Sequence, residues 1–87
     1  MELGRKAEKQ YAKLPKKLLG KVRELFKMLE INPWPARLYD LEKLEGVNFQ
    51  GYRIRLGKVR VMYAVLEDEK RIIILKIEQR KTVYRGS

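Results

Sequence analysis

The sequence contains no cysteine and no histidine. Without cysteine there is no disulfide framework and no thiol chemistry, and without either residue a zinc site is not expected. Histidine is also the usual acid–base residue at neutral pH. Any catalysis by this chain must therefore rely on other side chains, and we expect neither a metal nor a cofactor.

Long apolar runs are missing as well. No stretch approaches the roughly 18 consecutive apolar residues of a membrane span, and residues 1–7 lack the apolar core of a signal peptide. We expect a soluble, cytoplasmic protein with no membrane partner. The length of 87 residues predicts a single domain over residues 1–87, built around one modest core.

Positive charge is abundant. The chain has 21 lysines and arginines against 11 acidic residues, which gives a net charge of +10. Such a charge favours a polyanionic partner, either a nucleic acid or an acidic protein. The alternative is a charge-rich solvated surface of the kind that heat-stable proteins carry, although such a surface need not be this unbalanced.

Residues 52–63 consist of two alternating apolar and polar runs around Gly57-Lys58. This pattern predicts a β-hairpin with a type II′ turn. Its core face then carries Tyr52, Ile54, Leu56, Val59, Val61 and Tyr63, and its other face carries Arg53, Arg55, Arg60 and Met62. Arg55 lies opposite Arg60, a like-charge pair that is destabilising unless an anion offsets it. Guanidinium forks make phosphate the first candidate.

The remaining segments predict an α+β fold, an N-terminal helical hairpin packed on one face of a small, mainly antiparallel β-sheet. Apolar spacing indicates helices over residues 5–14 and 16–31. Residues 1–3 are too short for a useful strand, or they are the remnant of an edge strand, and residues 38–46 link the helices to the sheet. The β-branched run in residues 71–80 predicts the central strand. One face of this strand joins the arginine face of the hairpin. The sequence leaves open whether that face carries the even residues, which include Lys76 and Arg80, or the odd residues.

These features, in this order, resemble the RelE toxins of the RelE/ParE superfamily. The resemblance rests on Lys43-Leu44-Glu45-Gly46, the hairpin, the acidic turn at residues 67–69, the apolar strand, and then Arg80 and Tyr84. It implies a toxin of a type II toxin–antitoxin system that enters the ribosomal A site and cleaves messenger RNA there. It also implies an acidic, RelB-like antitoxin as partner. ParE relatives share the fold but inhibit DNA gyrase.

The resemblance also implies roles for individual residues. The family pattern falls on Arg53, Arg55, Arg60, Arg80 and Tyr84. From it we expect catalysis by Arg55, Arg60, Arg80 and Tyr84 and phosphate binding by Arg53, and we add Lys58, Lys76 and Lys81 as further RNA phosphate contacts. The sequence departs from the family at two places. Arg53 and Arg55 stand where relatives can have lysines, the second of them a proposed general base, and arginine does not readily lose its proton. Glu78-Gln79 stands where many relatives have Gly-His. The identity of the general base therefore stays open.

Three functions remain in competition at this point: a ribosome-dependent nuclease, a ParE-like gyrase inhibitor, and a non-catalytic basic module that binds RNA or an acidic protein. For Tyr84, the choice is between stacking on a displaced base and anchoring the C-terminal tail. Lys6 and Lys9 on the first helix are expected on a solvated face, so their substitution should matter less than that of Arg55 or Arg60.

Overall fold

A computed structural model of the chain describes residues 1–80 as two helices and a five-stranded sheet. The elements are β1 (Glu2–Leu3), α1 (Arg5–Ala12), α2 (Lys16–Ile31), β2 (Asp40–Lys43), β3 (Gly51–Leu56), β4 (Val59–Leu66), a short 3₁₀ turn (Glu67–Glu69) and β5 (Arg71–Gln79). The strand order is β1-β5-β4-β3-β2, in which β1 and β5 are parallel and the other neighbours antiparallel. This architecture confirms the predicted fold class.

The two helices follow the apolar spacing of the sequence. Helix α2 has the predicted bounds, and its apolar stripe of Val22, Leu25, Phe26 and Leu29 is buried in the core. Helix α1 ends at Ala12, two residues earlier than predicted. The amides of Lys13 and Leu14 turn back to carbonyls only three residues away, at 3.2 Å each. The following Pro15 disfavours a helical conformation at Leu14.

The hairpin of β3 and β4 forms in the predicted register, with Tyr52 opposite Tyr63 and Arg55 opposite Arg60. Gly57 has a φ of 59° while Lys58 keeps a negative φ, as a type II′ turn requires. The predicted core face is confirmed: Ile54, Val59, Val61 and Tyr63 are fully buried, and Tyr52 and Leu56 pack against them half-buried. The arginines therefore lie on the open face, which is the sheet face turned away from this core.

The order of strands differs from the prediction in two respects. The central strand is β4 rather than β5. Part of the predicted link forms an edge strand, because β2 pairs with β3 and extends the sheet on that side. Strand β2 escaped prediction since Leu41 is its single apolar residue, too little for an alternating pattern. On the other side, β1 pairs with β5 at Ile73 and Ile74, so residues 1–3 do supply an edge strand.

A β-bulge settles the register of β5. Met62 pairs with Lys76 while Tyr63 pairs with Ile74, so Leu75 is an extra residue. The bulge shifts the faces of β5 by one residue. Ile74 and Ile77 are consequently both buried in the core. Beyond the bulge, Lys76 and Glu78 therefore lie on the open face, in register with Met62 and Arg60.

Candidate functional site

Two rows of charged side chains cross the open face of the sheet. One row runs from β2 to β5 through Asp40, Arg55, Arg60 and Glu78. The next row runs through Glu42, Arg53, Met62 and Lys76. The like-charge pair of Arg55 and Arg60 is thus flanked by a carboxylate on each side. The sequence left this offset to an external anion, whereas the tertiary structure supplies part of it from the chain itself.

Several cations of the open face are paired with these carboxylates. The Arg53 guanidinium donates to Glu42 through Nη2 and through Nε, the latter at 3.1 Å, and this contact holds the pKa of Glu42 below its usual range. The Lys76 ammonium lies 2.8 Å from Oε2 of Glu78 and lowers the pKa of that carboxyl. Arg55 reaches Asp40 only at 3.9 Å. Exposed pairs of this kind contribute little stability, but they reduce the charge available to a ligand.

A pocket of about 510 Å³ opens where α1 meets the end of β5. We name it the cationic pocket, and its lining residues are Lys6, Gln10, Lys13, Arg60, Lys76, Ile77, Glu78, Gln79 and Arg80. Among residues 1–80, five cationic side chains and a single carboxylate contribute to this lining. Such an excess of positive charge in one concave place suits a phosphate, since fixed cations on several sides can contact its oxygens together.

Hydrogen bonds to the edge and end of β5 build the cationic pocket. The parallel strand β1 pairs with β5 only as far as Ile74, so the outer edge of β5 is open beyond it. There the backbone amide of Ile77 donates to Oε1 of Gln10 at 2.6 Å, which holds α1 against the strand. The amide of Arg80 donates to the carbonyl of Lys58 at 2.6 Å. This bond places Arg80 beside the hairpin turn.

The structure gathers some of the predicted site residues and separates others. Arg60, Lys76 and Arg80 line the cationic pocket together. Arg53 and Arg55 lie farther along the open face beside Glu42 and Asp40, and Lys58 is exposed in the hairpin turn. The predictions for Lys81 and Tyr84 lie outside the described residues.

Sequence reasoning missed three polar residues in α1 and at its C-terminal end, and it missed the carboxylate of β5. Lys6 and Gln10 of α1 and Lys13, the residue directly after α1, lie on one side because they are spaced by four and three residues, and this side lines the cationic pocket. Lys6 therefore differs from Lys9, with which it was grouped, because Lys9 is not among the lining residues. The helical spacing was visible in the sequence, but its proximity to residues 76–80 was not. Glu78 was noted only as a departure from the family.

Residues 1–80 contain neither a cluster of metal ligands nor a helix that could span a membrane. That part of the chain contains no group of three or more acidic, histidine or cysteine side chains that could hold a metal ion. None of its helices combines the length and the apolar character needed to cross a membrane.

Sequence comparison decides the family. The family described as "ParE toxin of type II toxin-antitoxin system, parDE" matches residues 1–84. The chain is also 39% identical over 86 residues to "Putative toxin RelE1" of Methanocaldococcus jannaschii, covering 99% of this chain and 94% of that protein. The chain belongs to the RelE/ParE toxin family. This finding confirms the resemblance seen in the sequence and makes the protein a toxin of a type II toxin–antitoxin system.

Solved structures of the RelE/ParE family have the same fold. The RelE–RelB complex of the archaeon Pyrococcus horikoshii OT3 contains a chain that matches with a TM-score of 0.81 and 36% identity, over 91% of each chain. The isolated RelE toxin of E. coli matches with a TM-score of 0.76 over 92% of this chain and 82% of that chain. At 17% identity the second match shows the fold alone.

Proposed function

We propose that this RelE/ParE toxin is a metal-independent endoribonuclease that cleaves messenger RNA in the A site of the ribosome. In this proposal it acts in the cytoplasm, and residues 1–87 form one toxin domain. The observation that carries this proposal is the cationic pocket. Arg60 from β4 and Arg80 from the end of β5 both line it, although 20 positions separate them in the chain. Two guanidinium groups on one pocket suit a scissile phosphate.

The chemistry of metal-free RNA cleavage matches this lining. The 2′-hydroxyl attacks its own phosphate, and the transition state is more negative than the substrate. Arg60 and Arg80 can stabilise that added charge, since preorganised cations act strongly on charge that develops in a sheltered site. The ribosome supplies alignment of the message, which can contribute on the order of 7–11 kcal/mol. In this proposal Lys76 and Lys81 bind neighbouring phosphates, and Tyr84 stacks on a displaced base.

We propose a secondary role for Arg53, Arg55 and Lys58. Arg53 is paired with Glu42, and Arg55 faces Asp40. These residues lie on the approach to the cationic pocket rather than in its lining. We place them as contacts to flanking RNA phosphates, with Arg55 as a clamp rather than a base, because a guanidinium keeps its proton at neutral pH.

The physiological partner in this proposal is an acidic, RelB-like antitoxin. Two observations support it: the net charge of +10, and the solved relatives that are complexes of RelE with RelB from Pyrococcus horikoshii OT3 and Methanococcus jannaschii. An antitoxin that folds as it wraps around its toxin can cover a large surface through individually weak contacts. Co-expression of the antitoxin should abolish toxicity, and the purified complex should carry less net charge than the toxin. Harmless expression of this chain alone in cells with active ribosomes would contradict the toxin function.

A second candidate function is inhibition of DNA gyrase without RNA cleavage. The observation that favours it is the description of the matching family as a ParE toxin. The lining of the cationic pocket favours the nuclease instead, because protein binding alone does not need two arginines in one concave, cation-rich pocket.

One reconstituted translation experiment tests these functions. Purified toxin is added to ribosomes that translate a defined message, and the 3′ ends of the message are mapped. Truncated message with ribosome-phased ends, absent when ribosomes are omitted, supports the nuclease. Intact message together with loss of gyrase supercoiling activity in a parallel assay supports the ParE-like function. If the message stays intact and gyrase stays active, the remaining function is that of a non-catalytic basic binding module.

A further inference from the structure

One acidic side chain stands among the cations of the cationic pocket. Glu78 is the single carboxylate among its described lining residues, beside Lys6, Lys13, Arg60, Lys76 and Arg80. A carboxylate weakens the binding of an anionic substrate, so it reduces affinity at a site whose lining otherwise favours phosphate. Its presence calls for a function beyond substrate affinity.

The register of β4 and β5 places this carboxylate directly beside the phosphate-binding arginine. Glu78 is the cross-strand partner of Arg60 on the open face. Side chains in such a position have Cβ atoms about 4.5–5.5 Å apart. If a substrate phosphate binds Arg60 with its 2′-hydroxyl on the side of Glu78, that hydroxyl lies close to the carboxylate, since nucleophile and phosphorus approach to about 3–3.5 Å in a reactive conformer.

The surroundings of Glu78 keep it ionised and leave it room to accept a proton. Lys76 contacts Oε2 at 2.8 Å, and a carboxylate has a second oxygen with acceptor capacity of its own. The Lys76 contact is the largest cause of the lowered pKa of Glu78, with smaller contributions from Arg60 and Arg53. The side chain of Glu78 is 36% exposed, so a substrate can reach it.

We propose that Glu78 is the general base of the cleavage reaction, an assignment that rests on the proposed nuclease function. The carboxylate takes the proton of the 2′-hydroxyl, and the oxygen electron pair forms a bond to phosphorus. The bond from phosphorus to the 5′-oxygen breaks, and the leaving oxygen takes a proton from water. The products are a 2′,3′-cyclic phosphate and a 5′-hydroxyl, and Glu78 returns its proton to solvent.

The test is single-turnover cleavage of a defined message on programmed ribosomes, with Glu78→Gln compared with the wild type. The glutamine keeps the shape and can still accept from Lys76, but it cannot take a proton. We expect cleavage to slow by about 10²-fold or more, the lower end of the effect of a general base. Ribosome binding should be unchanged or tighter because a negative charge is removed. Glu78→Asp should restore part of the rate.

The pH profile separates a base from a merely structural carboxylate. The cleavage rate of the wild type should decrease at acidic pH as Glu78 becomes protonated. The cleavage rate of Glu78→Gln should not show this decrease. Lys76→Met should move the decrease to higher pH, since the main cause of the lowered pKa is lost. The charged groups around Glu78 are Lys76 on its own strand, Arg80 just after that strand, Arg60 on the neighbouring β4, Arg53 on β3, Lys6 on α1 and Lys13 just after α1.

Glu42→Gln is the matched control, because it makes the same substitution on the same sheet face outside the cationic pocket. It should leave the cleavage rate and the pH profile near those of the wild type. A Glu78→Gln toxin that cleaves as fast as the wild type, or faster, would overturn the assignment and make Glu78 a counter-charge for Arg60. A wild-type toxin that fails to cleave would instead overturn the proposed nuclease function.

Discussion

The paired cations and the cationic pocket are two differently arranged parts of one basic protein. The paired cations are Arg53, held by Glu42, and Arg71, whose guanidinium contacts Glu2 at 2.9 Å through Nε and Glu69 at 2.5 Å through Nη1. Arg71 thereby ties β1 to the end of the 3₁₀ turn. In the cationic pocket, by contrast, Arg60, Arg80, Lys6 and Lys13 meet only one carboxylate among the described lining residues, Glu78, which already contacts Lys76.

This difference shows that net charge alone does not locate a binding surface. A cation with its own carboxylate has little left to offer a phosphate, because its field is largely cancelled over a few ångströms. A cation without one keeps its field, and neighbouring cations reinforce it in a concave site. Function should follow this uneven distribution of carboxylates, so that substitutions in the cationic pocket have larger effects than substitutions of the paired cations.

The largest effect is expected from the two pocket arginines. Arg60→Ala or Arg80→Ala should slow message cleavage by about 10²–10³-fold, the scale of losing one preorganised donor. Folding should survive, since removal of Arg60 relieves its opposition to Arg55. Single-turnover cleavage on ribosomes measures the rate, and circular dichroism checks the fold. Arg71→Ala is the control from the paired set and should cleave normally. Full toxicity of Arg60→Ala, Arg80→Ala and Tyr84→Ala would contradict the nuclease mechanism.

A smaller effect should separate two lysines of α1 that sequence reasoning grouped together. Lys6→Ala should weaken binding to ribosomes by about 10-fold and reduce the slope of log affinity against log salt by about one, as expected for one lost phosphate contact. Lys9→Ala changes the same charge outside the cationic pocket and should alter neither quantity much. Binding titrations at several salt concentrations compare the two. Equal losses at both lysines would indicate a diffuse charged surface instead of a focused site.

A few-fold effect is expected at Arg55. Arg55→Lys should cleave somewhat more slowly with an unchanged pH profile, because Arg55 lies beside Asp40 and acts as a clamp. A lysine with a lowered pKa can act as a base, whereas arginine cannot. A faster Arg55→Lys variant, or one with a shifted pH profile, would therefore place the general base at this position and remove that role from Glu78.

The smallest effect concerns stability in acid. Hydrogen bonding to Arg53 holds the folded-state pKa of Glu42 below its usual 4.5. A depressed pKa stabilises the folded state above the unfolded-state pKa, and this contribution is lost as pH falls from about 4.5 through the folded-state value. Glu42→Gln should thus lower Tm slightly at neutral pH, and the difference should disappear in acid. Thermal melts of both proteins across this range would show it, and a difference that grows in acid would contradict it.

The predicted parts of the fold and the site share a local physical origin. Helical spacing identified α2, and alternation with Gly57-Lys58 gave the register of β3 and β4. It also placed Arg60 on the open face. The bulge at Leu75 could not be seen, since every residue of the run from Ile72 to Leu75 is apolar and pattern alone does not show which of them is extra.

The sequence by itself determined the helices, the hairpin with its arginine pair, and the surplus of positive charge, because periodicity, turn chemistry and composition act over a few neighbouring residues. Only the tertiary structure decided which cations are paired and which surround an open pocket. That outcome depends on contacts such as Gln10 with Ile77, between residues 67 positions apart, and on the pairing of β2 with β3. Such contacts form because distant apolar faces pack into one core, and no local pattern records which charged side chains this packing brings together.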